Sequence, residues 1–199
     1  ESVLDLGTGV GAVALCIAAR VPGRRITGIE LQPALAALAE RNATLNDATD
    51  RVRILVHDLA HALPPELGPF DHVATNPPYL SAAVADPSPD RSKALATVES
   101  SADLARWLTV ATGALKPAGT LLVIHRSDRL EEVVGVLARL GWGDVTVKRL
   151  PPAARVLVRA RAAAELRRRD AAPLVLHRSD GGYTDEAEAI LRHGQALAF

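Results

Sequence analysis

Methionine is absent from the 199 residues, cysteine occurs once, and aromatic residues make up only 3% of the chain. With no initiator methionine, and with Glu1 leading straight into an apolar strand pattern, a further segment is expected ahead of residue 1. The single Cys16 cannot form an internal disulfide. It lies in an apolar helical stretch, which places it in the core and suits a reducing, cytoplasmic setting. No apolar run approaches the roughly 20 residues of a membrane span, and the start has no cleavable-signal pattern, so no membrane partner is expected. His57, His61, His72, His125 and His177 share no metal-ligand spacing, so no metal is expected. Trp107 and Trp142 read as packing residues.

Net charge is missing as well, with 23 basic residues against 23 acidic ones. The balance is uneven along the chain. Residues 148–169 hold Lys148, Arg149, Arg155, Arg159, Arg161, Arg167, Arg168 and Arg169 against Glu165 alone. Such a run is either a surface for a polyanion such as RNA or a solvated hairpin and loop. The 48% hydrophobic content and 23% charge are those of a soluble globular chain, and the length suits one domain over 1–199, with 162–199 as a C-terminal extension.

Apolar periodicity alternates strands with helices. SVLDL (2–6), RRITGIE (24–30), RVRILVHD (51–58), FDHVAT (70–75) and GTLLVIH (119–125) have strand patterns. Between them, Val13, Ala14, Ile17 and Ala18 recur at helical spacing, as do Leu35, Leu38, Ala39 and Leu45 behind Pro33. A poorly periodic stretch, 81–94, precedes a helix around Ala102–Leu115, and Asp128 with Glu131 resembles a capping box for a helix carrying Leu130, Val133, Val134, Leu137 and Leu140. DVTVKRL (144–150) and ARVLVRAR (154–161) are joined by a short turn and must run antiparallel. HRSDGGY (177–183) is a turn before a helix that begins with Asp185 and Glu186. The fold class is α/β: a doubly wound, Rossmann-like sheet, mostly parallel, with an antiparallel terminal hairpin.

In such sheets ligands bind at the carboxyl ends of the strands, and the chemically suggestive residues lie there. DLGTGVGA places Gly7, Gly9 and Gly11 between a strand and a helix, where the backbone can approach a ligand with no Cβ in the way. The pattern also satisfies the G-x-G-x-x-A dinucleotide fingerprint with Glu30 downstream, so a nicotinamide-dependent oxidoreductase stays open. Asp5 opposes that reading. A pyrophosphate over this turn would meet a carboxylate, a repulsion of about 4 kcal/mol at 4 Å and an effective dielectric near 20. S-adenosylmethionine offers a sulfonium and an ammonium instead, with Glu30 placed for ribose hydroxyls and Asp58 for the adenine amine.

Asn76, Pro77, Pro78 and Tyr79 follow the fourth strand in VATNPPYL. Asn and Pro are ordinary turn formers, so this is either a tight turn or a rigid polar clamp. DLGTGVG, the IE at 29–30, the HD at 57–58 and TNPPYL together resemble the class I S-adenosylmethionine-dependent methyltransferases, in the branch that methylates amino nitrogens. The resemblance covers the chain to about residue 161 and implies S-adenosyl-L-methionine as cofactor, held by Asp5, Gly7, Gly9, Gly11, Glu30, Leu31, Asp58, Leu59 and Asn76. It implies Asn76, Pro77, Pro78 and Tyr79 as the catalytic set. There the Asn76 amide oxygen and the Pro77 carbonyl accept both hydrogens of an amine, Pro78 stiffens the turn, and Tyr79 stacks on a flipped base.

TVESSADLARWL, IHRSDRL, RVLVRARA and LVLHRSDGGYTDEAEAIL are similar to bacterial tRNA methyltransferases that modify adenine N6 in the anticodon loop of a valine tRNA. That narrower resemblance implies tRNA as partner, met through 148–169. Relatives of this kind carry a segment ahead of the sheet that helps to close the cofactor pocket, and their link at the position of LPPAAR is longer. The release-factor glutamine methyltransferases, whose amide nitrogen suits the same clamp, are the neighbouring alternative.

Overall fold

The computed structural model describes residues 1–79, 102–163 and 165–199. The stretch 81–94, Leu80 of NPPYL and the opening residues of TVESSADLARWL lie outside them. The chain forms two compact units, Glu1–Leu122 and Val123–Phe199.

In the first unit the strands are β1 (Ser2–Leu6), β2 (Arg25–Glu30), β3 (Val52–Val56), β4 (Phe70–Thr75) and the opening part of β5 (Leu115–Arg126), in the order β3-β2-β1-β4-β5. The pairings β1–β2, β1–β4 and β2–β3 are parallel, with Val3 opposite Ile26 on one side and His72 on the other. Helices α1 (Ala12–Arg20), α2 (Pro33–Leu45) and α3 (Leu104–Gly113) make the crossovers. At the start of β4, the Asp71 carboxylate accepts from Lys116 Nζ at 2.8 Å and from Ser2 N at 2.8 Å, and these partners hold it well below the usual carboxylate range.

The alanines of the predicted inward faces of α1 and α2 are buried, but several of the larger residues grouped with them are not. Ala14, Ala18, Ala36, Ala39 and Ala43 are buried, together with Val3, Ile26, Val52 and Ile54. Leu38 and Leu45 face outward, at 46% and 70% exposure, and Cys16, expected in the core, is exposed. The reason is close approach: a Cβ placed on Gly11 would lie 3.2 Å from the Cβ of Ala39, so only small side chains fit the gap.

The second unit contains the end of β5, β6 (Trp142–Arg149), β7 (Arg155–Ala162) and β8 (Arg167–Ala171), in the order β5-β7-β6-β8. β6 and β7 form the expected antiparallel hairpin, with Val145 opposite Ala160 and Val147 opposite Val158. The strand β8 is not foreseen by periodicity, because RRRDA has no apolar alternation. It pairs parallel to β6 at the sheet edge, where charged side chains are tolerated.

Helix α4 (Leu130–Arg139) follows a 3-10 turn at Ser127–Arg129. The expected Asp128–Glu131 capping box is absent: Asp128 accepts from Arg126 Nε at 2.9 Å, Glu131 accepts from Arg168 Nη1 at 2.8 Å, and the N-cap, Arg129, makes no side-chain cap. Helix α5 (Asp185–Leu191) is capped by Thr184, whose hydroxyl accepts from Ala187 N at 3.2 Å. Its Ala187 and Ile190 pack with Leu150 and Leu174. Among the described residues no helix is long and apolar enough to cross a membrane, and no group of His, Cys, Asp or Glu is arranged to hold a metal.

Candidate functional site

The crossover direction in the first unit reverses between β1 and β4, which opens a crevice at the carboxyl ends of the strands. From β1 the chain enters Gly7-Thr8-Gly9-Val10-Gly11, and the three glycines take φ values of +74°, +58° and +86°, a region in which side chains are strained. The N–H groups of Gly7 and Thr8 both donate to the Ile29 carbonyl at 2.9 Å, that of Gly11 to the Thr8 carbonyl at 2.9 Å, and that of Gly9 to Glu30 Oε2 at 2.8 Å. These four donors are therefore already paired within the protein. A pyrophosphate, which such loops bind through their N–H groups, would have to break them.

Glu30 ends β2 and is buried. Its second oxygen, Oε1, accepts from Gln32 N at 2.9 Å, so one carboxylate links the glycine loop to the turn before α2. Asp58 follows β3, and its Oδ1 accepts from Ala60 N at 2.9 Å. After β4, Asn76 is exposed, Pro77 and Pro78 are buried and Tyr79 is half-buried. The buried Thr75 hydroxyl donates to the Leu6 carbonyl at 2.9 Å and fastens the residue before Asn76 to the end of β1.

These strand ends enclose a cavity of ≈ 190 Å³ lined by Gly7, Gly9, Glu30, Leu31, Asp58, Leu59, Asn76 and Pro78 from the sequence-predicted set. Gln32, Leu35, His57, Ala102 and Trp107, which sequence patterns did not single out as site residues, line it too. Asp5, Gly11, Pro77 and Tyr79 do not line it. Gly11 sits against Ala39 instead, and Asp5 lies beneath the loop, accepting from the Thr8 hydroxyl at 2.6 Å. Among the described residues the lining holds two carboxylates and no Lys or Arg, which suits a cation bearing hydroxyl and amino groups. A larger hollow of ≈ 420 Å³ between residues 62–70 and α3 has, among the described residues, Arg106 and Thr109 as its only polar side chains, and these do not make a convergent set.

Burial pushes the Asp5 carboxyl up to about 6, against the lowering effect of its bonds to Thr8 and to the Ala14 backbone, with the Glu30 charge adding to the rise. A carboxyl raised on folding contributes stability that is present below its unfolded value near 4 and lost as pH rises through 6. The loss is about 3 kcal/mol. Asp5→Asn keeps an acceptor for Thr8 and should remove this dependence, so the variant gains on the wild type by about 3 kcal/mol between pH 4 and pH 7. Urea unfolding of both proteins across that range is the measurement, and parallel stability curves would refute the assignment.

Residues 3–100 match the methyltransferase domain family. The chain is 35% identical over 136 residues to the tRNA1(Val) (adenine(37)-N6)-methyltransferase of Porphyromonas gingivalis, covering 67% of this chain and 52% of that protein. It is 37% identical over 151 residues to the release factor glutamine methyltransferase of Salmonella typhimurium, covering 72% and 53%. The chain thus spans about half the length of the curated relatives it matches. In fold it resembles the crystal structure of a predicted O-methyltransferase from Agrobacterium tumefaciens, with a TM-score of 0.77 and 24% identity over 99% of this chain and 90% of that one. The chain belongs to the S-adenosylmethionine-dependent methyltransferases. Its cofactor is S-adenosylmethionine, and the acid-lined crevice with its paired loop amides fits that group.

Proposed function

We propose that this chain methylates a planar amino nitrogen, the N6 amine of an adenine in RNA, with the amide of Asn76 as the central acceptor. The observation that carries this reading is that an exposed Asn76, stiffened by buried Pro77 and Pro78, shares one cavity with Glu30 and Asp58. When bound, S-adenosylmethionine supplies an electrophilic methyl group. Gly7 and Gly9 would let it approach the backbone, and Glu30 and Asp58 would be the acceptors for its ribose hydroxyls and its adenine amine. Asp5 supports the loop from below through Thr8.

An aromatic amine is a poor nucleophile because its lone pair is delocalised into the ring. The Asn76 oxygen and the Pro77 carbonyl accept its two hydrogens, which localises that pair on nitrogen, and Tyr79 offers a face for the extruded base. Positioning and preorganised acceptors supply the rate, and the surplus proton leaves to water once the nitrogen has become acidic.

RNA is favoured over protein by a basic face in the second unit. Strand alternation and register put Arg159, Arg161, Arg167 and Arg169 on the same face in two cross-strand rows, one through Asp144 and one through Thr146. The charge is smaller than the residue count suggests. Lys148 is buried and donates to the Ala172 carbonyl at 2.6 Å, Arg168 pairs with Glu131 at 2.8 Å, and Arg169 with Asp144 at 2.8 Å. Changing Arg161, Arg167 and Arg169 together to Ala should weaken RNA binding and flatten its salt dependence by up to roughly two units of slope, at about 0.7 per contact on single strands. Equal slopes for variant and wild type would make this face a solvated surface only.

The same two acceptors would hold a glutamine amide, and the offsetting ion pairs favour that second reading. Labelled methyl transfer to bulk tRNA and, in parallel, to release factors decides between them. Label recovered as N6-methyladenosine supports the first reading, and label on a release-factor glutamine supports the second.

A further inference from the structure

Trp107, in the first turn of α3, lines the same cavity as Asn76 and the glycine loop. Its ring lies so close to Gly7 that a Cβ there would come 2.5 Å from Cη2 and 3.0 Å from Cζ3. Only a glycine permits this contact. The turn that carries Trp107 is fixed by its neighbour: the Asp103 carboxylate caps α3 by accepting from Arg106 N at 2.8 Å, and Arg106 Nε donates to the Leu59 carbonyl at 2.8 Å.

We infer that Trp107 is a cation-selecting residue whose π face meets the positively charged sulfonium end of the cofactor, so that the methylated form is held more tightly than the neutral thioether left after transfer. The inference rests on the S-adenosylmethionine reading of the cavity. The strand order supplies the direction. Asp58 and Leu59 follow β3, Glu30 follows β2, Gly7 follows β1 and Asn76 follows β4, so the cavity runs from an adenine-binding end to a methyl-transferring end. Trp107 stands at Gly7 and shares the cavity with Asn76, so it falls toward the methyl-transferring end. Among the described residues no Lys or Arg lines the cavity, and the ring's negative quadrupole adds to the two carboxylates. A packing role against the parts the two ligands share would serve both equally, since they differ only in one methyl group and its charge.

Calorimetric titration of S-adenosylmethionine and of S-adenosylhomocysteine into wild type, Trp107→Phe and Trp107→Leu tests this. Leu keeps an apolar side chain at the position and removes the π face, while Phe keeps a smaller one. The expected result is a loss of roughly 5- to 30-fold in S-adenosylmethionine affinity for Trp107→Leu, a smaller loss for Phe, and S-adenosylhomocysteine affinity within about twofold throughout. Equal losses for both ligands, or no loss for either, overturn the inference while leaving the cofactor assignment standing. Wild type that binds neither ligand overturns the cofactor assignment, and the inference with it. If Trp107→Leu does not fold, the ratio of the two affinities in Trp107→Phe decides, because Phe is the weaker cation partner and must lower it.

Discussion

Asn76→Ala should lower single-turnover methyl transfer by about a hundredfold to a thousandfold at saturating cofactor and acceptor, the usual cost of one preorganised acceptor, about 2.7 to 4 kcal/mol. Asn76 is exposed, so its side chain supports little of the fold. Thr75 already fastens the end of β4 to β1 through its own hydroxyl, which makes the local backbone independent of the amide. The melting temperature should therefore stay near wild type, and the affinity for S-adenosylmethionine should fall far less than the rate. Normal turnover by a stable variant would reduce NPPY to a turn.

Glu30→Ala should have the largest effect on binding. Both of its oxygens are committed to backbone amides, from Gly9 at 2.8 Å and Gln32 at 2.9 Å, and the carboxylate also lines the cavity. Truncation orphans two donors, loosens the glycine loop and removes the acceptor proposed for the ribose. With a charge-assisted bond worth about 1.5 to 3 kcal/mol, cofactor affinity should fall by roughly ten- to a hundredfold or more. Glu30→Gln is a sharper probe than it looks. Its amide nitrogen must face one of the two N–H donors, so it should recover only part of the loss. Unchanged calorimetric affinity in a folded Glu30→Ala protein would refute the assignment.

Most of the sheet was legible because buried strands leave short apolar runs that stop at turn residues, as SVLDL does before Gly7 and FDHVAT before Asn76 and Pro77. That Glu30 and Asp58 would line the cavity was legible for a related reason: a strand end in this topology opens onto the crevice. Trp107 was not, because an aromatic on an amphipathic helix looks the same whether it faces a core or a crevice, and only its approach to Gly7 separates the two. Thr75 and Thr8 escaped notice because a buried hydroxyl is defined by a partner distant in sequence or hidden below a turn. The capping box failed for a local reason, since Arg126 and Arg168 took the two carboxylates that would have made it. Strand β8 was hidden because its neighbours, rather than its own apolar content, hold it at the edge.

The alanine stripe on α1 and α2 changes how mutations in that half of the chain will read. In a core built from Leu and Ile, truncation is the damaging event, because it leaves a void. Here the facing side chains are already single methyl groups, so little can be removed. Damage arises from growth, as each added carbon at Ala14, Ala36 or Ala39 has to push a helix off the sheet. Ala39 is the sharpest case. It abuts Gly11 at the point where the glycine loop becomes α1, so a larger residue there would displace the loop from a position outside the cavity. A helix position with no ligand contact thereby sets the clearance of the loop, and a survey confined to residues that touch the cofactor would pass over it.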